Sequence, residues 1–291
     1  MFEPESPPRR IARAFIDACE AELAAPKPGN VHVFAGGHGM EAQDFIDSAH
    51  AAAAPLCAAE ASVGRRIFDA VEATWSRVGC NTNLGILLLC APLAHAALQD
   101  GEGTLREKLI ATLDALDRDD ADLAFRAILR AAPAGLGRAP RHDVAAPATI
   151  GFLEAMALAA ERDLVARQYV TGFADIFGLG LETIARSRAR GDDRTMTTLR
   201  LFMAFASGFP DSHLGRKFGA ETARSVRERF VEAAARLEAI DDRDQAFSLA
   251  LEIDRNLKKD GYNPGTSADL TVAALFVDSL VAILPNVHKN G

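Results

Sequence analysis

The sequence predicts an all-α fold, organised as one multi-helix domain over residues 1–291 with alanine-rich helices at its centre. Apolar residues recur at helical spacing in almost every periodic segment, whereas the alternation typical of a strand extends no further than Val31 to Phe34. With 291 residues, 49% of them hydrophobic, the chain can bury a large core without disulfides or metals.

Charge and cysteine content narrow the class of protein. A net charge of −8 and a pI near 5.4 argue against nucleic acid or an anionic membrane as a partner. The four cysteines lack C-x-x-C spacing, and the acidic, proline-rich N-terminus is unlike a signal peptide. The longest apolar run, 270–284, contains Asp278 and is too short to span a bilayer. We therefore expect a soluble, cytoplasmic protein with reduced thiols.

The N-terminal half contains six predicted helices. The first begins after Pro7-Pro8 and ends before Pro26, because proline is favoured at a helix start and cannot continue a helix. Alanine-rich segments can pack closely, so the helix at 44–61, which Pro55 interrupts, and the next one, capped by Ser62, are placed centrally. The remaining three are an apolar helix at 84–99, too hydrophobic to face water, and two amphipathic helices at 104–116 and 120–132.

The second half opens with a long predicted loop at 131–149, where proline and glycine recur. The polar residues that this loop offers to a site are Arg138, Arg141, His142 and Asp143. Helices are then predicted over 152–160, over 163–177 with a break at 178–180, over 181–190, from Asp192 and Asp193 onward, after a cap at Asp211 or Ser212, and over 220–239, 245–259 and 270–284.

The first candidate site is the stretch from Asn81 to Gly85, directly before the apolar helix at 84–99. Asn81, Thr82 or Asn83 can cap this helix, and the free N–H groups of its first turn are suited to an anion such as a phosphate. An ordinary capped core helix would give the same pattern.

The second candidate site is the loop at 26–39, which contains Lys-Pro-Gly-Asn at 27–30. Its proline and glycine content excludes a helix, so we expect it to expose Lys27, Asn30, His32 and His38 on the surface. A plain surface connection would also fit.

Two further stretches, both in the C-terminal third of the sequence, contain candidate site residues. After a cap at Asp211 or Ser212, the residues His213, Arg216 and Lys217 fall within about one helical turn of each other. An acid, an imidazole and two cations in so short a span suit a metal-bound phosphate. The last stretch, 263–270, has a turn at Asn263-Pro264-Gly265 and a cap at Thr266 or Ser267, and it places Asp269 in the first turn of the most apolar helix. That aspartate either completes the cap or binds a cation.

Taken in order, these four stretches resemble the triphosphoribosyl-dephospho-CoA synthase family. Asp143-Val144, the segment 156–163 and Gln168-Tyr169 resemble the branch found in archaea and methylotrophic bacteria. The family is all-helical and makes a prosthetic-group precursor from ATP and 3'-dephospho-CoA with release of adenine. This sequence departs from the lyase-associated enzymes at two places. Asn83 and Leu84 stand where those enzymes have His-Lys, and His32 replaces an aspartate.

The resemblance implies transfer of the triphosphoribosyl group of ATP to an acceptor hydroxyl, in dephospho-CoA or in the making of a pterin-type one-carbon cofactor. It implies that Asp211 and Asp269 bind Mg²⁺ or the acceptor hydroxyl, and that His213 or Asp163 is the catalytic acid or base. The substrate- and phosphate-binding residues that it implies are Lys27, Gly29, Asn30, Asn81, Thr82, Asn83, Gly85, Arg216, Lys217, Asn263, Gly265 and Ser267.

Two other functions fit the same residues. One is a Mg²⁺-dependent nucleotide hydrolase or kinase, and the other is a nucleotide-binding protein without catalysis. Products separate the three hypotheses, because only ribosyl transfer releases free adenine. The partners expected in every case are small-molecule nucleotides, and the apolar helices could form one core or include a homodimer face.

Overall fold

The computed structural model describes residues 5–133, 135–137 and 142–284, and the all-α prediction is confirmed over this part of the chain. The extended structure found there consists of two isolated bridges, His32 with Ala35 and Gly37 with Met40. The helices are α1 (Pro7–Ala24), α2 (Ala42–Leu56), α3 (Val63–Val78), α4 (Leu84–Leu98), α5 (Leu105–Asp114), α6 (Arg118–Ala131), α7 (Phe152–Ala157), α8 (Leu164–Thr171), α9 (Leu181–Ala189), α10 (Arg194–Gly208), α11 (Ser212–Phe218), α12 (Ala220–Glu238), α13 (Arg243–Lys259) and α14 (Gly265–Ile283).

Helices α4 and α14 pack against each other in the interior. Twelve residues of each are buried, and α14 carries only two charged residues, Asp269 and Asp278. Because neither helix has a polar stripe, each is stable only when other helices cover it on all sides. The helix α14 is also long and apolar enough to cross a membrane, but 67% of its apolar window is buried inside this fold.

Two apolar clusters flank the pair. The larger one contains residues of α1 to α10 and of α14, and the smaller one contains residues of α10 to α14. The helices α1, α10 and α14 contact one another between the two clusters. These contacts hold the N-terminal ends of α4 and α14 at one fixed position.

The predicted caps at Ser62 and Asp211 are confirmed, and the predicted helix starts at Thr104 and Asp193 are also caps. Ser62 accepts a hydrogen bond from Arg65 N, Thr104 forms a capping box with Glu107, and Asp193 accepts from Met196 N. Asp211 is the cap of α11. Each of these residues has the short polar side chain that can reach the free N–H groups of a first turn.

Other boundaries were predicted wrongly. Helix α2 ends at Leu56, within two residues of Pro55, and not at 61. The expected break at 178–180 belongs to a π-helical turn, Ile176–Gly180, that continues into α9. Asp192 does not begin α10; its carboxylate accepts from Arg200 Nε at 2.7 Å. Of the long loop, Arg138 and Arg141 lie outside the described residues.

Candidate active site

A cavity of about 330 Å³ lies where the N-terminal ends of α4 and α14 meet. This volume is in the range of small-molecule sites. The four candidate stretches, far apart in sequence, converge on it. The predicted residues that line the cavity are Asn30, Asn81, Thr82, Asn83, Gly85, Asp163, His213, Arg216, Asn263, Gly265 and Asp269. Five predicted residues are not among its lining: Lys27, Gly29, Asp211, Lys217 and Ser267.

The start of α4 forms one wall of the cavity. The N-cap residue, Asn83, makes no side-chain hydrogen bond to the first turn, and Asn81 Oδ1 instead accepts from Leu84 N at 3.2 Å. Thr82 donates to Ser48 Oγ at 2.6 Å, which anchors the segment to α2. The backbone N–H groups of Gly85 and Ile86 have no hydrogen-bond partner within the described residues. Since both residues line the cavity, the positive end of this helix is available to an anionic group there.

Asp269 faces Gly85 across the cavity wall. An ideal Cβ at Gly85 would lie 2.0 Å from Asp269 Oδ2, so no side chain fits at position 85 while this carboxylate stays in place. The carboxylate makes no hydrogen bond within the described part of the chain. Burial, and then the charges of Asp211 and Glu22, raise the pKa of Asp269 well above its ordinary value. The ionised form of Asp269 is therefore disfavoured unless a cation binds to it, and without a cation the carboxyl group tends to take up a proton.

The part of the loop around Lys27 is buried, which corrects the expectation that Lys27, Asn30 and His32 are exposed, whereas His38 is exposed as predicted. Lys27, Asn30 and His32 are 0%, 6% and 1% exposed. Lys27 Nζ donates to Val31 O at 2.7 Å and lies 3.2 Å from Glu22 Oε1, so the cation predicted to contact phosphate is paired inside the protein and does not line the cavity. Burial lowers the pKa of Lys27 and raises that of Glu22. The ion pair offsets part of the cost of burying both charges.

Glu22 is a cavity residue that the sequence analysis missed. It lines the cavity from the inward face of α1 and is only 4% exposed. A signal for it exists in the sequence. Glu22 follows Phe15, Ala18 and Cys19 at helical spacing, on the face that is otherwise apolar. A carboxylate at such a position is buried only where a partner or a ligand accounts for it.

Asp211 joins the first turns of two helices, which corrects its predicted role. Its Oδ1 accepts from His213 N and Leu214 N at 2.9 and 3.2 Å, and its Oδ2 accepts from Ser267 N and Ser267 Oγ at 2.8 and 2.9 Å. Four donors occupy the lone pairs of this carboxylate, so Asp211 is a structural cap of α11 and α14 and has none free for Mg²⁺ or an acceptor hydroxyl. Ser267 is held by the same contact and is likewise structural.

Substitution of Asp211 by asparagine tests this role. The amide replaces one acceptor oxygen with a donor, which faces the two Ser267 donors or the two N–H groups of α11. We expect the free energy of unfolding to fall by about 1–3 kcal/mol. Denaturant titration measures this loss, and Asp193→Asn, at a cap outside the cavity, is the matched comparison. Unchanged stability of Asp211→Asn would contradict the double-cap assignment.

Arg216 is the predicted cation that reaches the cavity. Its Nη1 donates to Asp163 Oδ2, while Asp163 Oδ1 caps α8 by accepting from Val165 N and Ala166 N. With both oxygens engaged, Asp163 orients the guanidinium and is poorly placed as a catalytic acid or base. Lys217, the other cation predicted to bind phosphate, is exposed, with Nζ 5.0 Å from the centre of the Phe218 ring, and does not line the cavity.

His213 lies at the cavity as a neutral imidazole. Burial, and then the charges of Arg216 and Lys217, lower its pKa from 6.5 to about 4. At neutral pH the ring is therefore unprotonated and can accept a proton. The ring flanks Gly265, since an ideal Cβ there would lie 3.6 Å from His213 Nδ1.

The lowered pKa predicts a pH dependence of stability. Between pH 6.5 and pH 4 the unfolded chain binds a proton at His213 that the folded chain does not, so stability falls as the pH falls through this window. Between pH 7 and pH 5 we expect His213 to account for a loss of about 2 kcal/mol. In His213→Gln this part of the loss should vanish, as urea titrations at the two pH values would show. An equal loss in both proteins would contradict the assignment.

The charged side chains around the cavity are mainly acidic. Four carboxylates, Glu22, Asp143, Asp163 and Asp269, line it together with two guanidinium groups, Arg162 and Arg216. Within residues 5–133, 135–137 and 142–284, no group of three or more His, Cys, Asp or Glu side chains could hold a metal ion. A polyphosphate would therefore need positive charge in addition to that of the protein.

The CitG family, described as ATP:dephospho-CoA triphosphoribosyl transferase, matches residues 8–287. The chain belongs to this family. Membership makes the protein a transferase of the triphosphoribosyl-dephospho-CoA synthase type and confirms the resemblance and the class of enzyme predicted from the four motifs.

A solved structure is similar to this triphosphoribosyl transferase family member. It is a protein from Archaeoglobus fulgidus to which triphosphoribosyl-dephospho-CoA synthase activity is provisionally assigned, with a TM-score of 0.61 and 24% sequence identity. The match covers 79% of this chain and 95% of the other, and it supports the fold. A search of curated proteins found no match.

Proposed function

We propose that this transferase moves the triphosphoribosyl group of ATP to an acceptor hydroxyl with release of adenine. The acceptor is 3'-dephospho-CoA or a related cofactor precursor. The observation that carries the proposal is the convergence of all four motifs, and of Glu22, on one cavity in a member of this family. The same membership favours ribosyl transfer over a hydrolase, a kinase or a binding protein without catalysis.

The reaction exchanges two bonds at the ribose. The bond from C1' to N9 of adenine breaks, a bond from C1' to the acceptor oxygen forms, the acceptor hydroxyl loses a proton and adenine gains one. The unprotonated His213 is the group that accepts the hydroxyl proton. Arg216 and the free N–H groups of Gly85 and Ile86 bind the triphosphate. Holding both substrates in one enclosed site lowers the entropic part of the barrier.

Mg²⁺ fits this site as an ion that enters with the triphosphate. Such an ion keeps several waters and takes most of its remaining ligands from phosphates, with only one or two from carboxylates. Asp269 has the donor chemistry to hold it, because its carboxylate lines the cavity without a hydrogen-bond partner among the described residues. When bound, Mg²⁺ would offset the excess of carboxylates and neutralise phosphate charge.

The altered motif at residues 81–85 bears on which acceptor the protein uses. Leu84, at a position where lyase-associated enzymes have lysine, lines the cavity with an apolar side chain. The loss of that cation favours an acceptor with less negative charge at this wall, and a precursor of a methanopterin-type one-carbon cofactor is the second candidate beside dephospho-CoA.

Product analysis tests the proposal. The protein is incubated with ATP, Mg²⁺ and either 3'-dephospho-CoA or a pterin-type acceptor, and the products are separated by chromatography. Free adenine that forms with only one acceptor supports ribosyl transfer and identifies the substrate. ADP or AMP without adenine would support phosphoryl chemistry, and ATP binding without any product would overturn the proposal. His213→Gln should lose activity, while His50→Gln, on the exposed face of α2, should retain it.

A further inference from the structure

Two asparagines from opposite ends of the chain form a side-chain pair in the cavity wall. Asn30 Nδ2 donates to Asn263 Oδ1 at 2.8 Å. This bond leaves Asn30 Oδ1 and Asn263 Nδ2 without a hydrogen-bond partner in the described part of the chain, and both atoms keep accessible surface. The two residues are only 6% and 9% exposed and line the cavity, so the unpaired atoms face into it. Reversing both amides would still leave one donor and one acceptor.

The surrounding backbone holds this pair in place. Gly29 has a φ of +83°, and an ideal Cβ there would lie 2.9 Å from both Pro264 Cδ and Tyr262 O, so the loop at 27–30 packs directly on the turn at 263–265. Gly29 N donates to Asp254 at 2.9 Å, and His38 Nε2 lies 3.0 Å from Gly29 O. The amide pair is therefore positioned before any ligand binds.

The chemistry of the pair limits what it can recognise. A phosphate group offers only acceptors at neutral pH and would be repelled by the acceptor oxygen of Asn30. An adenine ring offers a donor, the N6 amino group, next to an acceptor, N1 or N7, and asparagine amides recognise adenine in this way. The cavity lining also includes the apolar side chains of Met40 and Phe45, which suit a flat base better than a polyanion.

We propose that the Asn30–Asn263 pair binds the edge of the adenine ring of the nucleotide substrate. This proposal rests on ATP being the substrate of the proposed function, and it replaces the expectation that these two asparagines bind phosphate. The pair then selects the leaving base, while Arg216 and the start of α4 bind the other end of the nucleotide.

Base selectivity tests the pair without requiring turnover. In Asn30→Asp and in Asn263→Asp, one carboxylate oxygen accepts the hydrogen bond from the remaining asparagine, so the pair is kept. The two atoms left facing the cavity are then both acceptors. This pattern suits guanine, which offers two adjacent donors, N1–H and the N2 amino group. We expect the wild type to bind ATP about 5- to 150-fold more tightly than GTP, and each variant to lower that ratio at least about tenfold. Calorimetric titration with ATP, GTP and base-free ribose 5-triphosphate gives these affinities, and thermal melts show that each variant is folded.

Controls separate base recognition from charge. Asn256→Asp adds the same charge on the exposed side of α13 and should leave the ratio unchanged. Added charge in the cavity weakens every triphosphate alike, so it cancels in the ratio of ATP to GTP. Equal binding of ATP and GTP by the wild type, or a ratio unchanged in both cavity variants, would overturn the proposal. Weaker binding of ribose 5-triphosphate at a constant ratio would do the same, because the added charge alone accounts for that weakening.

The two proposals fail separately. Adenine release with an unchanged ratio of ATP to GTP in the variants would remove the adenine-binding pair and leave ribosyl transfer intact. A shifted ratio without adenine release from any acceptor would support the pair and reject the proposed reaction.

Discussion

Replacing Gly85 by alanine should lower kcat/KM at least about 100-fold, the size of effect that a misplacement of about 1 Å in a site can produce. The added methyl group would lie 2.0 Å from Asp269 Oδ2, so the carboxylate has to leave the position that it occupies beside the start of α4. The clash involves the end of a side chain and not the backbone, and alanine is favoured over glycine in a helix by about 0.5–1 kcal/mol. We therefore expect near-normal stability together with a large loss of turnover.

Steady-state kinetics and denaturant titration on the same preparation measure the two quantities. The matched control is Gly178→Ala, because an ideal Cβ at Gly178 meets nothing within 4 Å. The control should keep its activity. If Gly85→Ala retained more than about a tenth of wild-type activity, the position of Asp269 would matter less than about 1.4 kcal/mol to the transition state, and its proposed role would not stand.

Replacing Asp269 by asparagine should lower kcat on the order of 100- to 1,000-fold, as expected for loss of a group that stabilises developing charge. The same substitution should raise the free energy of unfolding, because the folded protein buries this carboxyl without a hydrogen-bond partner among the described residues and an amide has no charge to desolvate. Loss of activity with a gain in stability is typical of a residue kept for function.

Mg²⁺ titration separates the ways in which Asp269 could act. If it binds the ion with the triphosphate, Asp269→Asn should require more Mg²⁺ for half-maximal activity, while Asp278→Asn, near the other end of α14, should not. An unchanged Mg²⁺ requirement together with reduced kcat would assign Asp269 to proton transfer or to the acceptor hydroxyl. Full activity of Asp269→Asn would remove it from the mechanism.

The helices were predictable because local chemistry determines them. Ser62, Thr104 and Asp193 begin helices for reasons that lie within four residues of each, and the missing polar stripe of the segment 84–98 already required burial. The π-helical turn before α9 was not predictable, since two glycines usually end a helix. Here Gly180 is instead closely packed, with Ala274 Cβ 3.0 Å from its ideal Cβ position.

The sequence predicted most of the polar residues that line the cavity, but not the contacts that each of them makes. A motif cannot show whether a polar side chain points into the cavity or bonds to another part of the protein. Lys27 is a cation in a loop, yet its partner Glu22 lies in the last turn of α1, and the two charges pair inside the protein. Asp211 has the sequence context of a metal ligand, whereas its second partner, Ser267, is 56 residues away.

The hydrogen bonds that hold the loop around Asn30 also determine when, during folding, the cavity can form. Gly29 bonds to Asp254 and Asn30 to Asn263 across sequence separations of 225 and 233 residues. Contacts of such range form late in folding, because the intervening chain has to be ordered first. During synthesis from the N-terminus, the first two motifs leave the ribosome long before their partners. A nascent chain shorter than about 263 residues would thus have most of its helices, but no closed site able to hold a nucleotide.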